Sequence, residues 1–140
     1  MRWHECSEKI RFCEVDSFDV VWHGHYFKYF EIGRLDLSGR FGMSPNEMKK
    51  LGYFVPVIDL GCKFREPARL GDEITIKTSV EPAEKASLTF RYELIRASDN
   101  ELLAEGFTAH VLLTLDGKMI YLVPEELRMQ LKDMLAYCNE

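Results

Sequence analysis

The chain has 140 residues, 46% apolar and 29% charged. This is the balance of a globular protein able to fill one compact core without a disulfide or metal staple, and it excludes disordered and collagen-like chains. Its 18 Lys and Arg against 23 Asp and Glu give a net charge of -5, which speaks against nucleic acid as a partner but leaves room for a local basic cluster facing an anionic ligand.

No run approaches the roughly 20 apolar residues that cross a bilayer, and the first residues carry an acid and no apolar signal core, so no membrane partner and a cytoplasmic location are expected. Cys6, Cys13, Cys62 and Cys138 are too scattered for a zinc knuckle or a redox pair and read as reduced, mostly buried thiols.

In chain order, residues 5–13 alternate polar and apolar, which predicts a strand, and a loop follows over 14–21. From about His23 to Gly42 the apolar spacing turns helical, with Tyr26, Phe27, Phe30, Gly33, Leu37 and Phe41 on one stripe together with Arg34. Such an aromatic face needs a large cover such as a sheet, Gly33 would let a neighbouring element approach closely, and Gly39 and Gly42 end the helix. Ser44-Pro45 opens a short helix. Strands are then predicted over 53–65, 73–80, 87–96, 102–115 and 119–123, with a turn at 67–72 and a hairpin at Asp116-Gly117, giving a meander. Pro124-Glu125-Glu126 starts a terminal helix with Leu127, Leu131, Met134 and Leu135 as its apolar stripe. The expectation is a single α+β domain over 1–140, an antiparallel sheet of five or six strands wrapped around one long central helix, with a short helix at the C-terminal end.

The run Asp16-Ser17-Phe18-Asp19-Val20-Val21-Trp22-His23-Gly24-His25-Tyr26 sets a carboxylate in a loop a few residues before a helix N-terminus. Unpartnered N–H groups there can hold an oxygen that becomes negative when a carbonyl is attacked, and a carboxylate facing that point can serve as base or nucleophile. With Asp16, Val20-Val21-Trp22, His23, Tyr26 and Glu31 in these places, and Pro67-Ala68-Arg69 and Asp72 further on, the chain resembles the hotdog-fold acyl-CoA thioesterases of the 4-hydroxybenzoyl-CoA thioesterase and YbgC type over nearly its full length.

The resemblance implies that Asp16 is the catalytic carboxylate, attacking the thioester or activating water, and that the backbone N–H of His23, with Gly24 beside it, polarises the thioester carbonyl. It implies an acyl-CoA or acyl-carrier protein substrate, no cofactor beyond the CoA or phosphopantetheine of that substrate, and homodimers that pair into tetramers. Trp22, Gly24, Tyr26, Arg65 and Arg69 are candidate substrate contacts, the two arginines for CoA phosphates. Asp19 stands where the family usually has Gly, so either Asp adopts the turn conformation or the loop differs.

Plainer readings stand beside these. Asp16 could simply turn the chain, the His23 side chain could only pack, Glu31 and Arg34 could form a structural ion pair, and Lys63, Arg65 and Arg69 could be solvated rim charges. His25 with a distant His4 or His110 makes a poor metal set, so no metal is expected. Two further functions remain open: a hotdog-fold dehydratase or hydratase, which would work through a histidine paired with an acid, and a non-catalytic acyl-thioester-binding protein.

Overall fold

A computed structural model describes residues 2–81 and 85–139. Strand β1 (His4–Lys9) leads through a single 3-10 turn (Phe12–Glu14) to the long helix α1 (His25–Arg40), followed by the short α2 (Pro45–Leu51). Strands β2 (Tyr53–Phe54), β3 (Val57–Phe64), β4 (Glu73–Val80), β5 (Ser87–Arg96), β6 (Glu101–Thr114) and β7 (Met119–Ile120) come next, and α3 (Glu125–Cys138) closes the chain. All seven strands join one antiparallel sheet. No helix among the described residues is long and apolar enough to cross a membrane.

The helix ends follow local rules. Gly42, at φ 74°, leaves α1 in the left-handed conformation that ends helices. Ser44 caps α2: its hydroxyl accepts the Glu47 N–H at 3.3 Å and the Glu47 carboxylate accepts the Ser44 N–H at 3.3 Å, with Pro45 at the first helical position.

The sheet curls round α1, whose buried face carries Tyr26, Tyr29, Phe30, Gly33, Leu37 and Ser38. Gly33 sits directly on β4, since a Cβ there would lie 2.3 Å from Thr78 Oγ1 and 2.6 Å from Ile76 Cγ2; the close approach expected of it is realised. Phe30 stacks on Tyr92 of β5, ring centroids 4.5 Å apart and planes within 8°. His4 ties three elements together, bonding Asp36 of α1 at 2.6 Å and Tyr137 of α3 at 3.2 Å.

Four expectations are corrected. The first strand stops at Lys9 rather than running to residue 13, because Ile10 N–H turns to the Asp72 carbonyl and the chain enters the 3-10 turn. The strand expected over 53–65 is split at Val55-Pro56 into β2 and β3; proline has no N–H for a ladder. The meander, in which consecutive strands pair, holds only from β4 through β5 and β6 to β7. Strand β3 crosses over to pair with β6, Leu60 opposite Thr108 and Cys62 opposite Gly106, while β1 pairs with β4. The last hairpin forms, with Gly117 at φ 89°, but Thr114 N–H bonds Lys118 O, so Leu115 joins the loop and β7 is only two residues long.

The cysteines also differ from expectation: all four are free, yet only Cys138 is buried and Cys13 is exposed.

Candidate active site

Asp16 lies in a tight hairpin rather than a loose loop. Val15 and Val21 bridge antiparallel, Asp16 N–H donates to Val20 O at 2.8 Å and Asp19 N–H to Asp16 O at 3.0 Å. Asp19 has φ 60°, so of the two alternatives left open it adopts the left-handed turn conformation that glycine would supply. The Asp16 carboxylate accepts the Phe18 N–H at 2.8 Å, an Asx turn that fixes its rotamer while leaving the side chain exposed.

The base of this hairpin rests on a buried acid that sequence reasoning missed. Glu14, 3% exposed, accepts the Arg11 N–H at 2.8 Å and pairs with the Lys28 ammonium of α1. Burial alone would raise its pKa, but the Lys28 and Arg11 hydrogen bonds outweigh burial and hold it below the usual glutamate value.

Helix α1 begins beside the hairpin. Gly24 is its N-cap and offers no side chain, His25 N–H donates to Trp22 O and Tyr26 N–H to His23 O. The amides of His23 and Gly24 have no backbone acceptor among the described residues. The half-exposed Trp22 ring folds back over Gly24, where a Cβ would lie 2.2 Å from it, and meets the rings of His23 and His25 at 5.0 and 5.5 Å.

The segment between β3 and β4 supports this corner. Val21 N–H bonds Ala68 O at 2.8 Å, Ala68 N–H bonds the buried Tyr26 hydroxyl at 3.2 Å, and Val20 bridges Arg69. Arg96 clamps the same segment from β5: its guanidinium donates to Asp72 at 3.0 Å and the Pro67 carbonyl at 2.9 Å, and is itself held by Asp99 of the β5–β6 turn at 2.9 Å. Phe64, at the end of β3, packs on Tyr26 and His23 with centroids 5.1 and 6.3 Å away.

Asp16, Trp22, His23, Gly24, Tyr26 and Arg69 are thus brought to one corner, with Tyr26 acting as a buried brace. Arg65 is committed to Glu105 at 2.7 Å. Sequence reasoning missed Glu14, Lys28, Phe64 and Arg96; only the tertiary fold brings them in, and no spacing marks them. The expected Glu31–Arg34 pair is corrected: Arg34, partly buried, turns to the sheet and reaches the Tyr92 hydroxyl at 3.5 Å, while Glu31 is exposed. Burial pushes the Cys6 and Cys62 thiols up to about 11, so neither is a ready thiolate nucleophile.

An antiparallel sheet curled round one long helix, with two shorter helices beside it, is the architecture of the hotdog fold. The description "Thioesterase superfamily" matches residues 18–103, more than half of the chain, and the protein belongs to that family. It is a thioesterase, an enzyme that hydrolyses thioesters.

A solved structure of a hypothetical protein from Thermus thermophilus is 34% identical with a TM-score of 0.83, covering 93% of this chain and 98% of its own. The DHNA-CoA thioesterase from Staphylococcus aureus is 27% identical with a TM-score of 0.87, covering 97% of this chain and 93% of its own. The putative acyl-CoA thioesterase YneP of Bacillus subtilis is 24% identical over 103 residues, 74% of each chain.

Proposed function

We propose that the protein hydrolyses an acyl thioester of CoA or of a carrier protein's phosphopantetheine, with Asp16 as nucleophile or as base for water. The observation that carries this reading is the Asp16 hairpin, closed at Val15 and Val21, leading within three residues into a helix start whose His23 and Gly24 amides have no backbone acceptor among the described residues. The carboxylate is held in one rotamer and faces solvent, where a thioester can reach it, and the two amides supply the oxyanion donors that attack on the carbonyl carbon requires. The reaction uses no cofactor beyond the substrate's own CoA or phosphopantetheine. Trp22 covers the entry, and Arg69, beside the hairpin, meets the phosphates of the thiol half; Arg65 serves that role only if it leaves Glu105.

The names of the B. subtilis and S. aureus relatives favour the CoA arm. The dehydratase reading is less favoured, because it needs a histidine set against a carboxylate. The His23 ring instead packs on Trp22 and Phe64, and His110 bonds Val55 and Thr108. Buried His4 does pair with a carboxylate, that of Asp36, but beside Tyr137 of α3 and about three turns along α1 from the Asp16 corner.

The enzyme works as a homodimer formed along β3, and as a tetramer of two dimers. The outer edge of β3 is unpaired and exposes Ile58 (62%), Leu60 (45%) and Phe64 (50%), a long apolar edge of the kind that invites pairing with another copy. Phe64 also touches His23 and Tyr26, so joining two such edges would set a second chain beside each site.

Thiol release from a panel of acyl-CoAs, with wild type and Asp16→Asn side by side, tests the reading. Loss of about 100- to 10,000-fold in the variant is expected; unchanged turnover refutes the site. Sedimentation at micromolar concentration should give a dimer or tetramer, and a stable monomer would refute the β3 interface.

A further inference from the structure

A cavity of about 410 Å³ opens between the C-terminal half of α1, the helices α2 and α3, and the inner face of β5 and β6. That volume is in the range that accommodates a small-molecule ligand. Leu88, Phe90, Leu112, Leu127, Leu131 and Met134 form its body. None of the Asp16 hairpin or of the first turn of α1 lines it.

His110, the histidine of its floor, has both ring nitrogens hydrogen-bonded within the protein. His110 bonds Val55 O at 3.1 Å through Nδ1 and Thr108 Oγ1 at 2.8 Å through Nε2, and Thr108 bonds the Tyr92 hydroxyl at 2.6 Å. Apart from Arg34, which reaches that same Tyr92 hydroxyl, and from Ser38 and Ser87, a ligand inside meets hydrocarbon. The charged lining residues are three cations, Arg34, Lys49 and Lys85, against one acid, Glu31, in a chain whose overall charge is negative. Lys49 and Lys85 are exposed, as are Phe54 and Leu115 beside them, so these four mark an opening to solvent.

We propose that this cavity binds an aliphatic chain carrying an anionic head, the chain among Leu88, Leu112 and Met134 and the head at the mouth between Lys49 and Lys85. An apolar body with a cationic rim complements such an amphiphile and no other common metabolite shape as well: a sugar or nucleotide would leave its hydroxyls unpaired against the hydrocarbon walls. The same chemistry is offered by a free fatty acid and by a fatty-acyl thioester whose head bears phosphates. The site stands independently of the role given to Asp16.

The test is displacement of a fluorescent fatty-acid analogue by saturated fatty acids of increasing length and by the alcohols of the same lengths. Affinity should rise about fourfold per methylene and then level off when the cavity is full, with acids binding more tightly than alcohols. Leu88→Trp, which fills the cavity, should bring the plateau to shorter chains. The double variant Lys49→Glu/Lys85→Glu, confined to the surface, should weaken the acids at least tenfold and leave the alcohols unchanged.

Displacement at no length, affinity indifferent to chain length, or equal loss for acid and alcohol in the lysine variant would each overturn the proposal. The Asp16→Asn protein should bind as wild type does, so failure of the catalytic reading would leave this result standing. The source of the chain is separated by repeating thiol release with Leu88→Trp. A shift of preference toward shorter acyl-CoAs makes the cavity the seat of the substrate's chain, and an unchanged preference with lost fatty-acid binding makes it a site for the free acid.

Discussion

Acidification should loosen this protein through one histidine. His110 is 1% exposed, and burial, with Arg34 adding repulsion against the Val55 carbonyl's opposite pull, pushes its pKa from 6.5 down to about 4. The folded state therefore holds the ring neutral while the unfolded chain takes up a proton below pH 6.5. Stability from this group is complete above pH 6.5 and is lost as pH falls through about 4. Working from those two values, the loss is about 2 kcal/mol at pH 5 and about 3 kcal/mol at pH 4.

Urea unfolding at fixed protein concentration, at pH 7.5, 6, 5 and 4, measures it directly. His110→Gln keeps a donor for Val55 and an acceptor for Thr108 but cannot charge, so it should be less stable at pH 7.5 and flatter between pH 6.5 and 5. That window lies above the carboxylate range in which Glu14 and Glu105, both held low by their cationic partners, begin to take up protons. Equal slopes for wild type and variant across that window would refute the assignment.

Gly33→Ala should destabilise by about 1–3 kcal/mol in chemical denaturation despite alanine's better helix propensity, because the new Cβ would press into Thr78 and Ile76 of β4. Tyr26→Phe removes the acceptor for the buried Ala68 N–H and should cost about 1–3 kcal/mol; because Val21 hangs from the same residue, its thiol-release rate should fall more than that of a control core variant equal in stability. Asp19→Gly should keep activity and match or exceed wild-type stability, whereas Asp19→Val should lower the melting temperature, since a β-branched residue resists φ 60°.

The long helix was legible because its task is local: one aromatic stripe every three or four residues, broken by a glycine where a strand passes. The Ser44-Pro45 start was legible for the same reason, whereas at Asp19 the sequence left the left-handed turn and a different loop both open, and only the backbone, at φ 60°, decides. What escaped is what joins distant segments. Periodicity marks Val57–Phe64 as a strand but does not say that it pairs with β6 rather than with β4, its successor in sequence. An edge strand exposed on both faces also lacks the in–out alternation that would show which face is buried. Glu14 and Lys28, or Arg96 and the segment 67–72, meet only through turns whose direction no single-residue propensity encodes. At the candidate site the residues from Asp16 to Tyr26 were readable as one run, while Phe64 and the Arg96 clamp belong to other strands.

The pairing of β3 with β6 also bears on when the catalytic corner takes shape. The β4–β5 and β5–β6 pairs join strands that follow one another in sequence, whereas β3 must wait for β6, from which it is separated by the whole of β4 and β5. Such long-range pairing is slow to form, since chain entropy is lost before contacts repay it. Phe64 and the segment that braces Tyr26 follow from that late strand, so the corner around Asp16 is completed after the central sheet. It is also the first part expected to exchange its amide protons in the native state, which would leave the reaction centre softer than the helix beneath it.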